Sequence, residues 1–236
     1  MGNGYKNLVY GFGLITLITF IGFYKKYFSL APDFPGLKNI HHFHAIALTS
    51  WLAMLIVQPI LIAKHRIDAH RMLGKISYFL APIVFISMLL VYHNQYLRMI
   101  SEGKPELETL AFIFSPATDA IPFLIFYLLA IFNRRETAKH MRFMICTGII
   151  IGGPGLGRIF VTWLNMDIFS AIGMIALITF LVFTGLIIYD KAKKNNFRLN
   201  PFSIAMIIWL IPNILVIFFP NSSLWQNFAK WVVTTF

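Results

Sequence analysis

The sequence is poor in the residues on which many protein sites depend. Its 236 residues include one cysteine, Cys146, and nine aspartates and glutamates against twenty lysines and arginines. A single cysteine excludes a disulfide framework, a thiolate metal cluster and a paired-cysteine redox motif. Histidine occurs only in the first part of the chain, since all seven histidines precede residue 141. Any chemistry therefore depends on histidine, arginine and a few carboxylates.

Charge is scarce throughout. Charged residues make up 12% of the chain and hydrophobic residues 58%, with a mean hydropathy of +0.72. The apolar residues fall in runs close to the roughly 20 residues that span a bilayer, which excludes a soluble domain. The net charge of +11 comes from short loops between these runs. It therefore indicates membrane topology and predicts no nucleic-acid partner.

The apolar runs predict an all-α bundle of about seven transmembrane helices in a single domain, residues 1–236. The predicted helices cover about residues 8–23, 44–63, 76–97, 110–132, 143–164, 168–189 and 202–219. The first run is longer than a typical signal-peptide core, so we expect it to be retained. Residues 223–234 have aromatic and apolar side chains at near-helical spacing, which predicts a short interfacial helix.

The connecting loops predict the orientation. The connections after the second, fourth and sixth predicted helices are basic, whereas those after the third and fifth carry Glu102, Glu106, Glu108 and Asp167. Lysines after the first helix argue mildly the other way. Since basic loops stay in the cytoplasm, we expect the N-terminus inside and the C-terminus outside. The expected location is the lipid bilayer of a bacterial inner (cytoplasmic) membrane.

Histidines near the predicted outer face form the first candidate site. His93 lies near the outer end of the third helix, at about the level of His44, and His41 shares a face with His44 through its i, i+3 spacing. Neutral imidazole is a common ligand of haem iron, copper and zinc. We therefore predict haem b or a metal ion on His44 and His93, with His41 as a third metal ligand. The alternative is a polar interface cap formed by His41, His42 and His44.

Two intramembrane charges lie near the same level. Asp119 is about ten residues into the fourth helix, and Arg158 is about fifteen residues into the fifth. Charged groups within a span tend to face the bundle interior and mark a site. Arg158 is predicted to bind a carboxylate, either a haem propionate or an anionic substrate, with Asp119 as its counter-charge. A structural ion pair between the two is the alternative, and both interpretations are compatible.

The fifth helix is also rich in glycine around Pro154, which predicts a kink. Its glycine face indicates either close helix packing or a flat cofactor or substrate lying against it. At the predicted cytoplasmic helix ends, His70 and His140 indicate a second histidine-ligated cofactor. The alternative there is contact between the surrounding basic cluster and lipid phosphates.

The motifs resemble a known family. The pattern consists of His44, Gln58-Pro59, His70-Arg71-x-Leu73-Gly74-Lys75, His140-x-Arg142-x-Met144 and Arg158. It resembles a family of uncharacterised bacterial polytopic membrane proteins, a domain of unknown function, over about half of the chain. More distantly, the chain is similar to small membrane proteins linked to haem-copper oxidase assembly and to di-haem cytochromes of the b561 type. The resemblance implies a polytopic helical fold.

Together these features predict a haem-binding or metal-binding membrane protein with a redox (oxidoreductase) or cofactor-handling role, working with a redox partner or in a larger membrane complex. Two alternatives stay open. One is a transporter or channel-like carrier in which Asp119 and Arg158 line the pathway and the Pro154 kink supplies movement. The other is an accessory subunit. The seventh predicted helix has no lysine, which excludes a retinal Schiff base.

Overall fold

The computed structural model describes residues 3–193, 195 and 197–235, and within them the chain is helical with no strand. Three single 3-10 turns interrupt a series of α-helices. The helices are α1 (Asn3–Tyr24), α2 (Asn39–Ala63), α3 (Ile67–Ser101), α4 (Glu106–Phe112), α5 (Ala120–Phe132), α6 (Thr137–Thr162), α7 (Ile168–Ala192), α8 (Pro201–Leu215) and α9 (Ser223–Thr235). The predicted all-α bundle is confirmed.

Six segments are long and apolar enough to span a membrane, namely α1, α2, α3, the α4–α5 segment, α6 and α7. Large apolar side chains cover their outer faces, and Phe79 and Phe169 are 75% and 86% exposed. Such surfaces fit a lipid bilayer, so the chain is built as an integral membrane protein. The 15-residue α8 is apolar but shorter, about 22 Å at 1.5 Å per residue. The seventh crossing and the orientation stay predictions.

Most helices extend beyond the apolar runs that predict them. α2 begins at Asn39 and α3 runs from Ile67 to Ser101, because backbone hydrogen bonding continues through the polar residues next to each run. The predicted helix at 202–219 is shorter in the structure, since α8 ends at Leu215 and a 3-10 turn follows at Phe219–Asn221. The predicted interfacial helix at 223–234 is present as α9.

The predicted continuous helix over residues 110–132 is wrong. α4 ends at Phe112, a 3-10 turn forms at Ser115–Ala117, and α5 begins at Ala120. Pro116 lacks the backbone N–H that a continuing helix needs. Asp119 then caps α5, because its Oδ1 accepts a hydrogen bond from the Ala120 N–H. The segment is therefore a broken helix with a carboxylate at the break.

We call the end of the bundle where α2, α5 and α7 finish the basic end, and the opposite end the far end. α6 is the central helix, since it packs against α1, α2, α5, α7 and α8. The core around it contains Trp51, Phe123 and Phe126, all fully buried. The ring of Trp51 meets that of Phe123 edge-on, with centroids 5.2 Å apart. Aromatic packing thus joins α2 to α5.

α1 and α6 approach each other closely at two glycines. A Cβ added to Gly22 would lie 2.1 Å from the carbonyl oxygen of Gly155, and one added to Gly155 would lie 2.7 Å from Cα of Thr19. These distances leave no room for a side chain at either position. The close-packing interpretation of the glycine-rich helix is confirmed at this contact.

Candidate functional site

Five polar side chains from four helices meet in the half of the bundle nearer the far end. They are His44 on α2, Ser87 and Tyr92 on α3, Asp119 at the start of α5 and Arg158 on α6. We call this set the polar cluster. Asp119 lies thirteen residues from the basic end of α5, which is about 20 Å at 1.5 Å per residue. The polar cluster therefore lies within the membrane-spanning region.

Asp119 is held by two donors. Its Oδ2 accepts a hydrogen bond of 2.6 Å from the Tyr92 hydroxyl, and its Oδ1 accepts one of 2.5 Å from the Ala120 N–H. The ion pair with Arg158 that the sequence offered as an alternative is not formed between these described residues. Tyr92 interacts electrostatically with both Asp119 and Arg158. The carboxylate is thus satisfied without the guanidinium.

His44 is fixed in one tautomer by its neighbour. Its Nδ1 lies 3.0 Å from Ser87 Oγ, and the Ser87 hydroxyl donates to the Val84 carbonyl at 2.7 Å. Because the only hydroxyl proton is used there, we assign the proton of the imidazole to Nδ1. A neutral His44 then keeps a lone pair on Nε2. His44 also lies within electrostatic range of Arg158.

Arg158 is the accessible cation of the polar cluster. Its side chain is exposed, and its Cζ lies 4.2 Å from the centroid of the Phe23 ring on α1. Within residues 3–193, 195 and 197–235 no carboxylate pairs with it. α6 ends four residues later at Thr162, so Cα of Arg158 lies about 6 Å below the far end of that helix.

The structure does not bring His93 to His44. His93 follows Ser87 by six residues, which on a helix means about 9 Å of rise and about 240° of rotation. His93 instead lines a groove of about 160 Å³ between α3, the α4 break and α9. We call it the far-end groove. Its walls include Leu89, Tyr92, His93, Phe112, Ile113 and Val232.

His41 and His42 are engaged at the start of α2. Nδ1 of His41 accepts a hydrogen bond of 2.9 Å from the Lys38 N–H, which caps the helix. Nδ1 of His42 lies 2.8 Å from the hydroxyl of Tyr27, whose pKa is raised by burial. In the part of the chain that the structure describes, no group of three or more His, Cys, Asp or Glu side chains could hold a metal ion.

At the basic end, His70 and His140 come together. Nδ1 of His140 lies 2.8 Å from the Ala130 carbonyl oxygen and donates to it, which leaves a lone pair on Nε2. His70 lies within electrostatic range of His140 and Arg71. Nδ1 of His70 and Oε1 of the adjacent Gln58 are buried without a hydrogen-bond partner among the described residues.

Sequence reasoning missed Ser87 and Tyr92. The available signal was the position of these two polar side chains within the apolar run of α3. This signal is weak for Tyr92, because tyrosine is also common at membrane interfaces. No protein-family model, curated protein or solved structure matches the chain. Any assignment of function therefore rests on the geometry of these residues.

Proposed function

We propose that the protein is a membrane carrier that binds a small anion, a carboxylate or phosphate, in the polar cluster. The observation that supports this most is Arg158, an exposed residue whose guanidinium has no carboxylate partner among the described residues. A charged group inside a membrane-spanning segment is costly unless it is paired or solvated. A bound anion would supply the missing pair.

The surroundings of Arg158 suit an anionic group. A guanidinium binds a carboxylate or phosphate through two parallel hydrogen bonds, which fixes the ligand's orientation as well as its charge. His44 lies within electrostatic range of Arg158, and the lone pair on its Nε2 can accept a hydrogen bond from a hydroxyl of the ligand. Asp119 does not compete directly, because Tyr92 and Ala120 occupy its two oxygens.

Two features favour a carrier over a static binding protein. The α4–α5 segment is a broken helix with its break beside the polar cluster, and broken helices near the substrate are a recurring feature of secondary transporters. α6 carries Arg158 and contains Pro154 four residues earlier, which weakens its hydrogen bonding at that level. Both elements can therefore bend next to the ligand.

The proposal includes a location and an orientation. The basic loops would face the cytoplasm of a bacterium, the far end would face outward, and α8 would make the seventh crossing. The polar cluster would then take its ligand from the outer side of the inner membrane.

Uptake by proteoliposomes tests the proposal. The purified protein is reconstituted and assayed with a panel of radiolabelled small carboxylates and inorganic phosphate. Arg158→Gln should lower uptake of the transported anion by more than about tenfold, because the charge-assisted bonds are lost. The matched control is Arg98→Gln, which removes an exposed arginine that pairs with Glu102. Equal uptake by both variants, or no uptake of any anion, would contradict the proposal.

A second candidate is a histidine-ligated cofactor at the basic end. The observation that favours it is that His70 lies within electrostatic range of His140, whose Nδ1 donates to a backbone carbonyl as ligating histidines usually do. Nearby basic side chains such as Arg71 suit the propionates of a haem b better than a bare metal cation. The protein would then have a redox or cofactor-handling role beside a redox partner or in a larger complex.

An absorption spectrum with total metal analysis, before and after dithionite reduction, tests this candidate. A stoichiometric haem that is lost in His70→Ala and His140→Ala would establish it, while His65→Asn in the exposed loop should keep the haem. If the haem were lost only in His44→Ala or His93→Ala, the cofactor would instead be located at the far end. Colourless, metal-free protein would contradict the second candidate and leave the carrier proposal unaffected.

A further inference from the structure

We propose that the ligand of the polar cluster is an amphiphile, with its anionic head at Arg158 and its alkyl chain in the far-end groove. This inference rests on the proposed function, because the position of the head is the anion site described above. It narrows the chemical class of the anion: the carboxylate or phosphate group would carry a single alkyl chain, and the ligand would be drawn from the membrane.

Tyr92 belongs to both the far-end groove and the polar cluster. The hydroxyl of Tyr92 donates to Asp119 at 2.6 Å, while Tyr92 also lines the groove and its ring lies 5.8 Å from that of Phe112. Tyr92 also interacts electrostatically with Arg158, so a ligand with its head at Arg158 and its chain in the groove would pass this side chain. Tyr92 is thus the residue at which the groove and the polar cluster meet.

The lining of the groove suits an alkyl chain. Apart from Tyr92, Tyr96 and His93 it consists of aliphatic, phenyl and proline side chains. These residues come from α3, the break after α4, and α9, so the groove lies between a membrane-spanning helix and the amphipathic C-terminal helix. An alkyl chain in the groove would therefore contact mainly apolar side chains. A small hydrophilic anion would make no use of this surface.

Charge complementarity identifies the head group. Arg158 is a fixed cation, His44 lies within electrostatic range of it, and Asp119 is engaged by other donors. An amphiphile with a neutral or cationic head would leave the guanidinium unpaired in the membrane. The chemistry of this region therefore selects an anionic head on an apolar chain.

α9 completes the groove and is anchored independently of any ligand. Nε1 of Trp225 donates to the Leu110 carbonyl at 3.0 Å, and Lys230 pairs with Glu106 at 3.0 Å. These contacts hold Val232 opposite α3. The groove is thus a formed feature of the fold. A substitution that fills the groove with a large side chain can therefore test whether a ligand occupies it.

The test uses a fatty acid with a photoreactive diazirine at the end of its chain, added to the full-length protein in nanodiscs. Cross-linked peptides are mapped by mass spectrometry. We expect labelling of residues 89–96, 112–116 and 232–233. Labelling should fall by at least about tenfold in Arg158→Gln and in Ile113→Trp, which fills the groove. Ile86→Trp is the matched control, since Ile86 is 50% exposed on the same bundle.

Competition separates this inference from the proposed function. A short-chain carboxylate in excess should displace the probe, whereas an alcohol of equal chain length should not. Groove labelling that persists in Arg158→Gln, or that the alcohol abolishes, means ordinary lipid occupancy and overturns the inference. Absence of groove labelling, with short carboxylates still bound in an Arg158-dependent way, also overturns it but leaves the carrier intact. Absence of any Arg158-dependent carboxylate binding defeats both.

Discussion

Arg142 and Asp190 form a doubly hydrogen-bonded ion pair that joins α6 to α7 at the basic end. Nε and Nη2 of Arg142 donate to the two carboxylate oxygens at 2.7 and 2.6 Å, and the side chains are only 7% and 2% exposed. Asn195 and Asn200 donate to the same carboxylate. α6 thus carries two arginines with different environments, because Arg142 is fully engaged whereas Arg158 is accessible and forms no ion pair with a described residue.

Breaking this pair should be strongly destabilising. Asp190→Asn leaves the buried Arg142 charge without its partner, and we expect a loss of about 3–5 kcal/mol in the free energy of unfolding. Thermal unfolding of the purified protein in mild detergent, followed by fluorescence, measures the effect. Glu102→Gln removes one partner of an exposed pair with Arg98 and should cost less than about 1 kcal/mol. Similar losses in the two variants would contradict the structural role of Asp190.

The glycine contact between α1 and α6 gives a second prediction. Gly155→Ala places a methyl group 2.7 Å from Cα of Thr19, so the two helices must separate, and we expect a cost of about 1–3 kcal/mol. Gly13→Ala on α1 is the control, because a Cβ there has nothing within 4 Å. The same unfolding measurement applies. If Gly155→Ala were as stable as Gly13→Ala, the close approach of the two helices would be wrong.

Most of the fold could be predicted from the sequence, because the side chains that face lipid are apolar and therefore mark each membrane-spanning helix as an apolar run. The sequence could not predict the break at residues 113–119, since the apolar character continues through it and proline alone is not decisive. Pro59, Pro82 and Pro154 all lie inside continuous helices. Whether a proline ends a helix depends on contacts that can support a new start, here the local cap by Asp119 and the hydrogen bond that Tyr92 on α3 donates to it.

The candidate site was only partly predictable for a related reason. Counting residues along helices gives depth, so the sequence predicts His44, Asp119 and Arg158 at a similar depth; in the structure His44 and Tyr92 interact electrostatically with Arg158, and Tyr92 donates a hydrogen bond to Asp119. Such counting does not give the rotation of one helix against another, so His93 was paired with His44 although it lies on another face of α3. Arg142 and Asp190 are 48 residues apart, and nothing local in the sequence signals their pairing.

Topology can be tested with single cysteines. Cys146 is fully buried, so the native chain should resist a membrane-impermeant maleimide in intact cells. In a Cys146→Ala background, Asp33→Cys at the far end should label from outside, whereas Lys64→Cys at the basic end should label only after permeabilisation. Both positions are exposed. Ser223→Cys at the start of α9 should label from outside if α8 crosses the membrane. Labelling of Lys64→Cys in intact cells would show that the orientation is the reverse of the predicted one.

Tyr92 should control the affinity of the polar cluster through Asp119. Tyr92→Phe removes the donor to Oδ2, and an unsatisfied carboxylate oxygen costs about 1–3 kcal/mol of stability. Asp119 would then attract Arg158 more strongly, so we expect anion binding to weaken by about tenfold.

Two further variants separate this effect from general damage to the site. Asp119→Asn combined with Tyr92→Phe removes the competing charge and should restore anion binding, although the stability loss remains. Tyr78→Phe changes a tyrosine that is 45% exposed on the same helix and should leave both quantities unchanged. Binding is measured by equilibrium dialysis of the transported anion and stability by thermal unfolding. If the double variant bound no better than Tyr92→Phe alone, Asp119 would not be the competitor for Arg158, and the loss would reflect direct contact between Tyr92 and the ligand.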